Sequence, residues 1–317
     1  MELINFILNN TPLFYWTQSL WRDEAFSVWI ATGSAMNVIA HTSKDFNPPL
    51  YYLLLNFWMK IFGRSEIALR SLSLLFFVFF LVVVYKFALL IFKSKQQAVL
   101  TTIIAGLNPM LLYFAFELRM YSLLVLLACL STYFLYTKQW KWYVLAAAAG
   151  MYTQPFMAFV LISHGVYFLL TKQIKTAVWV FSAIGLLFLP WLPTILYQFS
   201  HSGPMWMWPA DINLVLSVLG NVFVGYEGTP GNLWTMMMVL SLFMILMAFY
   251  SWRVKPWRGA LLLFYCLTFL PLILVVGISF IKPIYVHRYV IFAAIGEIFF
   301  LSCFISILKK RLPGIER

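Results

Sequence analysis

Between Glu66 and Phe92 the chain reads EIALRSLSLLFFVFFLVVVYKFALLIF, and the only charges after Glu66 are Arg70 and Lys86. A run of about 18 or more residues with so few charges is a candidate membrane-spanning helix. Outward from it, apolar runs bounded by charged or Pro/Gly breaks recur near 66–92, 97–115, 120–137, 142–152, 155–170, 175–197, 233–252, 259–280 and 288–308. The expected fold is all-α, a polytopic integral membrane helical bundle of about nine spans forming a single domain over 1–317. Segments 142–152 and 155–170 fall short of the roughly 20 residues a perpendicular crossing takes, and Gln154-Pro155 breaks between them. A half-depth hairpin is expected there.

Composition agrees. The 317 residues are 63% hydrophobic and 10% charged, against about 45–50% and about 25% in soluble domains. A soluble enzyme, a nucleic-acid binder and a secreted disulfide scaffold are thereby excluded. Cys129, Cys266 and Cys303 all fall inside apolar runs, so neither a loop disulfide nor metal-ligand spacing is indicated.

In a membrane protein the net charge of +12 is read by position. Lys93 and Lys95, Lys138 and Lys141, Lys172 and Lys175, then Arg253, Lys255 and Arg258, and finally Lys309, Lys310, Arg311 and Arg317 occupy alternate connections. The positive-inside rule makes these cytoplasmic. Seven of the ten acidic residues, Asp23, Glu24, Asp45, Glu66, Glu117, Asp211 and Glu227, then lie on the outer side. The expected location is the plasma (inner) membrane, multi-pass, with the active face extracytoplasmic. Residues 23–62 read as a first outer loop with interfacial helices, and 198–232 as a second, whose Trp206 and Trp208 suit the headgroup level. Residues 1–21, broken by Asn9, Asn10, Thr11 and Pro12, make a poor spanning helix and no secretory signal. No internal repeat is evident.

Chemistry-bearing residues concentrate on the outer side. Trp21-Arg22-Asp23-Glu24-Ala25-Phe26-Ser27 sets two adjacent carboxylates before an apolar stretch. Acidic residues there stabilise a helix N-terminus, whereas a carboxylate beside apolar surface also holds a proton more tightly and can accept one from a hydroxyl nucleophile. Glu66 and Arg70, four apart, read as a structural ion pair. Arg119 opens a helix at the outer boundary, where a bidentate guanidinium suits phosphate oxygens and snorkelling to headgroups is the rival use. Lys282-Pro283-Ile284-Tyr285-Val286-His287-Arg288 packs three candidate cations into one outer turn. Glu297, about 14 Å into the last helix and on the face opposite Arg288, reads as structural, as does His164 in its short helix.

Five segments, in order, carry a family resemblance. Arg22-Asp23-Glu24-Ala25-Phe26, then Asn47-Pro48-Pro49-Leu50-Tyr51-Tyr52 and Phe62-Gly63-Arg64-Ser65-Glu66, resemble the first outer loop of the dolichyl-phosphate-mannose-protein mannosyltransferase-like superfamily. Phe116-Glu117-Leu118-Arg119-Met120-Tyr121 is similar to its Glu/Ala-x-Arg-x-Tyr signature, and Tyr152-Thr153-Gln154 to its Tyr-Thr-His turn, with Gln154 in place of His. The matches cover about residues 21 to 160. Members are multi-pass glycosyltransferases of the C-type fold that use polyprenyl-phosphate sugars, and they carry a full first helix before the acidic pair, so a truncated first helix is expected here.

The resemblance implies that Asp23 is the catalytic carboxylate and Glu24 its support. Donor phosphate contacts are expected from Arg119, Arg288, His287 and Lys44, and substrate contacts from Asp45, Tyr51, Glu117 and Tyr121. The implied partners are a polyprenyl-phosphate sugar donor, a lipid, glycan or protein acceptor, and membrane lipids, with no nucleic acid. Asp23 and Glu24 could hold a divalent cation, although two oxygen-bearing side chains are too few to define a site. The rival classes are a multi-pass carrier or lipid flippase, which would need charges lining a path where only Glu297 stands, and an inactive truncated homologue.

Overall fold

The computed structural model describes residues 16, 18–200, 207, 209–225, 233–253 and 257–311, and all regular structure among them is helical. Three short helices come first: α1 (Arg22–Ile30), α2 (Ala35–Thr42) and α3 (Leu50–Phe62). Ser34 caps α2 by accepting from the Asn37 N–H at 3.2 Å, and Gly63, at φ 84°, stops α3 where a side chain would be strained. Trp29, Met36, Phe57 and Ile61 remain exposed on these helices, the apolar surface that interfacial helices present to headgroups.

The bundle follows: α4 (Glu66–Phe92), α5 (Lys95–Gly106), α6 (Pro109–Ala115), α7 (Tyr121–Tyr136), α8 (Trp140–Met151), α9 (Met157–Leu170), α10 (Ile174–Phe188), α11 (Leu192–Ser200), α12 (Ile212–Val224), α13 (Trp234–Trp252), α14 (Arg258–Ser279) and α15 (Ala293–Arg311). Each of the nine expected segments is helical. Among the described residues, however, only α4, the continuous 174–198 stretch, α13 and α14 are long and apolar enough to cross a bilayer, with α5 and α6 a fifth if their 66° bend lies within one span. That bend has a local cause. Pro109 cannot extend α5, and buried Asn108 caps α6 by accepting from the Leu111 N–H at 3.0 Å, while its amide donates to the Phe223 carbonyl at 3.0 Å.

Within 198–232 the described residues hold a helix: Asp211 caps α12, accepting from the Leu214 N–H at 2.8 Å, and Gly225 ends it at φ 82°. Helix α12 lies so close on α13 that a Cβ on Gly220 would sit 2.2 Å from the Met237 carbonyl oxygen. Helices α8 and α9 touch, but α8 packs mainly along α7 and α10, and α9 along α14.

A repeat unnoticed in the sequence also emerges. Thr137-Lys138-Gln139 and Thr171-Lys172-Gln173 make the same turn, with Lys138 and Lys172 both at φ 58°. Gln139 N–H donates to the Phe134 carbonyl and Gln173 N–H to the Phe168 carbonyl, each at 2.8 Å, so one left-handed cap joins α7 to α8 and α9 to α10. Near the basic ends of the helices the core is aromatic, with the Phe87 ring 5.2–5.6 Å from those of Tyr133, Tyr136, Phe264 and Phe299. Buried His164 is an interior hydrogen-bonding group, as expected, its Nε2 3.2 Å from the Thr132 hydroxyl and its Nδ1 3.3 Å from that of Tyr143.

Candidate active site

Helix direction gathers the five motif segments at the end of the bundle away from the basic turns, because α4 and α7 start there and α6 and α8 finish there. The Leu50 N–H donates to the Tyr152 carbonyl at 3.0 Å, joining the start of α3 to the Tyr152-Thr153-Gln154 turn. Gln154, buried, accepts from the Phe156 N–H at 2.6 Å and so shapes its own turn.

The two neighbouring carboxylates of α1 have separate fates. Glu24 is buried, and its carboxylate takes Arg70 Nε at 2.9 Å, Arg70 Nη2 at 2.5 Å, the Leu118 N–H at 2.9 Å and the Trp21 N–H at 3.3 Å. Arg70 in turn donates Nη1 to the Gln18 carbonyl at 2.6 Å. The expected Glu66–Arg70 pair therefore does not form, because Glu66 is exposed and Arg70 turns into the bundle. Glu24 thus clamps α1 to α4 and to the 116–120 turn. Asp23 keeps its side chain about a quarter exposed, 3.5 Å from the exposed Arg22.

Arg119 is buried and reaches back to α1, donating Nη1 to the Asp23 carbonyl oxygen at 3.2 Å and to the Ser27 hydroxyl at 3.3 Å. Its guanidinium lies 5.9 Å from the Tyr121 ring, and that of Arg288 5.9 Å from the Tyr289 ring. The Tyr51 hydroxyl is 3.4 Å from that of Ser73, which donates to the Arg119 carbonyl at 3.3 Å, so α3 helps fix the arginine's backbone.

Several buried polar atoms in this cluster have no hydrogen-bond partner among the described residues: Arg119 Nε, Glu117 Oε2, and the hydroxyls of Tyr52 and Tyr121. Interiors rarely leave such groups unmatched unless something else satisfies them. Burial pushes the Glu117 carboxyl up to about 8 against the opposing charges of Arg119 and Arg288. It raises the Tyr52 hydroxyl too, so that group stays neutral. Tyr52 had not been singled out as a site residue, although it adjoins Tyr51 in the quoted motif.

Other expected residues stand apart. His287 is buried against Phe114, with ring centroids 6.1 Å apart, and burial together with Arg288 lowers it to about 3, so it supplies no positive charge near neutrality. Lys44 is exposed. Asp45 accepts from the Asn47 amide at 3.2 Å and faces the cluster closely enough for its charge to act on Tyr52. Its carbonyl is taken by Gln198, which ties α11 to the 42–45 turn. Glu297 is buried with neither carboxyl oxygen hydrogen-bonded among the described residues. Trp206 and Trp208 lie outside the described residues. An apolar groove of about 670 Å³ lined by Ile39, Leu50, Leu53, Tyr152 and Trp191 occupies the face of α3 opposite Tyr51 and Tyr52.

Among the described residues no three His, Cys, Asp or Glu side chains are grouped to hold a metal. Glu24, engaged on both oxygens, cannot join Asp23 as a cation ligand without leaving Arg70.

Comparison with known proteins bears on this arrangement. Residues 46–197 match the family model described as dolichyl-phosphate-mannose-protein mannosyltransferase. No curated protein sequence matches. The fold is similar to that of ArnT from Cupriavidus metallidurans in the apo state, at 13% identity and TM-score 0.63, over 98% of this chain and 60% of that one. It is similar also to the same protein bound to undecaprenyl phosphate, at 12% identity and TM-score 0.61, over 99% and 62% respectively. The chain thus spans about three fifths of the length of those structures. This is an integral membrane chain whose fold is similar to that of ArnT and which, over residues 46–197, carries the sequence pattern of the dolichyl-phosphate-mannose-protein mannosyltransferases; that stretch holds every quoted motif except Arg22–Phe26.

Proposed function

We propose that the protein is a membrane glycosyltransferase that moves one sugar from a polyprenyl-phosphate donor to an acceptor at the extracytoplasmic face. The observation that carries this reading is the bond from Arg119 to the backbone carbonyl of Asp23, which brings a guanidinium whose Nε has no partner among the described residues within electrostatic reach of that residue's part-exposed carboxylate. The reaction needs that pairing. As the acceptor oxygen bonds to the anomeric carbon, the bond from that carbon to the phosphate oxygen breaks with its electron pair, and the acceptor proton passes to Asp23. Arg119 and Arg288 hold the charge that grows on the phosphate. A single displacement of this kind inverts the anomeric centre. The solved ArnT with undecaprenyl phosphate supports a polyprenyl-phosphate lipid as the donor's carrier, and the basic turns at the opposite end of the helices support an outward-facing site.

The test is transfer from a radiolabelled polyprenyl-phosphate sugar by the purified protein. Asp23→Asn is expected to lower turnover at least about 100-fold with donor affinity nearly intact. Arg119→Ala is expected to weaken donor binding by about 1.5–3 kcal/mol. Undiminished turnover in the first variant refutes Asp23 as base, and unchanged affinity in the second removes Arg119 from the phosphate.

A further inference from the structure

Glu117 is the one carboxyl in the cluster whose surroundings have no evident structural use. It is 5% exposed, its side chain makes neither a hydrogen bond nor an ion pair among the described residues, and its Oε2 is fully enclosed. Among the described residues, the groups facing it come from several elements. Asp23 and Glu24 come from α1, Tyr51 from α3, Arg119 from its own turn, Tyr121 from α7 and Arg288 from the 287–290 turn. Arg70 of α4 shares a cavity of about 130 Å³ with it, which Gln18, Ser19 and Tyr113 also line.

The balance of these groups argues against an ionised Glu117. Arg70 is saturated by Glu24 and backbone carbonyls, Arg119 spends its Nη1 on α1, and Arg288 acts on Glu117 through its charge, so among the described residues no cation donates to Glu117. Nearby, Glu24 and Asp23 repel a second carboxylate. What remains is a neutral acid, an O–H donor enclosed among the guanidiniums of Arg70, Arg119 and Arg288. A cavity of that volume has room for a few waters, at about 30 Å³ each, through which the proton can exchange with solvent.

Building on the glycosyltransferase reading, we infer that Glu117 is a further catalytic residue, a protonated carboxylic acid that donates a hydrogen bond to the donor's phosphate oxygen as that oxygen becomes the leaving group. Glu117 keeps its proton throughout. The electron pair of the broken bond goes to the phosphate oxygen, the acceptor proton goes to Asp23, and the Glu117 O–H strengthens its bond to the oxygen on which charge has grown. A neutral donor serves here where a third cation would not, because the product must leave after its charge has risen. Donation is available below about pH 8 and is lost as pH rises through that value and the carboxyl ionises.

Infrared difference spectroscopy of the full chain in detergent tests this without requiring turnover. At pH 7 a protonated-carboxyl C=O band should be present that Glu117→Gln removes, and adding a short-chain polyprenyl phosphate should shift it to lower frequency. Absence of a band assignable to Glu117 at pH 7, or a band that ignores the lipid phosphate, overturns the inference. In the transfer assay Glu117→Gln, still a neutral donor, should keep turnover within about fivefold at pH 7 and lose the alkaline fall of the unmodified protein, whereas Glu117→Ala should lose more than about tenfold at every pH. Equal losses in both variants overturn the inference too. Should the unmodified protein bind the lipid phosphate with a shifted band yet transfer no sugar, the glycosyltransferase reading fails while the hydrogen bond from Glu117 stands.

Discussion

Asp23 and Glu24 are chemically alike and adjacent in sequence, yet their surroundings give them opposite uses. Glu24 is sealed against Arg70, both side chains at most 3% exposed. Removing one member of such a buried pair strands the other's charge, at a cost of about 3–5 kcal/mol. Glu24→Gln is therefore expected to lower the thermal midpoint and folded yield in detergent, while Asp23→Asn, changing a part-exposed carboxylate held only by Arg22, should leave both nearly unchanged. Fluorescence-detected size-exclusion after a heat series measures this; equal losses would mean that Glu24 is not the clamp. The carboxylate pair and Arg119 were marked out by residue type and by the family resemblance, but their division of labour was not legible. Spacing along one helix offered Arg70 the neighbour Glu66, four residues away. The bundle offered Glu24, 46 residues away, together with two enclosed backbone N–H groups to complete its shell.

At the scale of elements, the sequence is most readable where helices start and stop. Asn108-Pro109 stands inside the run read as one span over 97–115, and the structure makes a 66° bend there. Helix α12 carried its signals as well, an N-capping Asp211, thirteen residues with no charge and a left-handed Gly225, but these were hidden inside a region assigned wholly to the outer loop. The repeated Thr-Lys-Gln turn was hidden differently: its three residues resemble any basic loop until their backbone angles are known. Lys138 and Lys172 hold φ 58°, a conformation that costs an L-residue about 1–2 kcal/mol and glycine almost nothing in strain. Lys138→Gly and Lys172→Gly are each expected to raise stability by about 0.5–1 kcal/mol after glycine's greater unfolded-state entropy is counted. Thermal unfolding of the single and double variants measures it, and because the turns sit in separate hairpins the two gains should add. A loss in either variant would show that the lysine side chain, rather than the turn geometry, matters there.

For the whole molecule, the charge distribution and the helix directions reinforce each other. Starting at Glu66, the ends of α4, α7 and α9 carry Lys93, Lys138 and Lys172, whereas the opposite ends carry Asp23, Asp45, Glu117 and the two arginines of the cluster. A bundle sorted in this way is oriented by its basic turns, because lysine and arginine are retained on the cytoplasmic side during insertion. The orientation is testable on intact cells, since Cys129, Cys266 and Cys303 are all buried and free and so are poorly placed to react with a membrane-impermeant maleimide. Against that quiet background, Lys44→Cys at the active-site end and Lys172→Cys at the basic end are both exposed positions. Lys44→Cys is expected to label from outside on whole cells, and Lys172→Cys only after the membrane is opened. The reverse pattern would place Asp23 and Arg119 on the cytoplasmic side, where an extracytoplasmic acceptor could not reach them, and the proposed reaction would then need an acceptor from the cytosol.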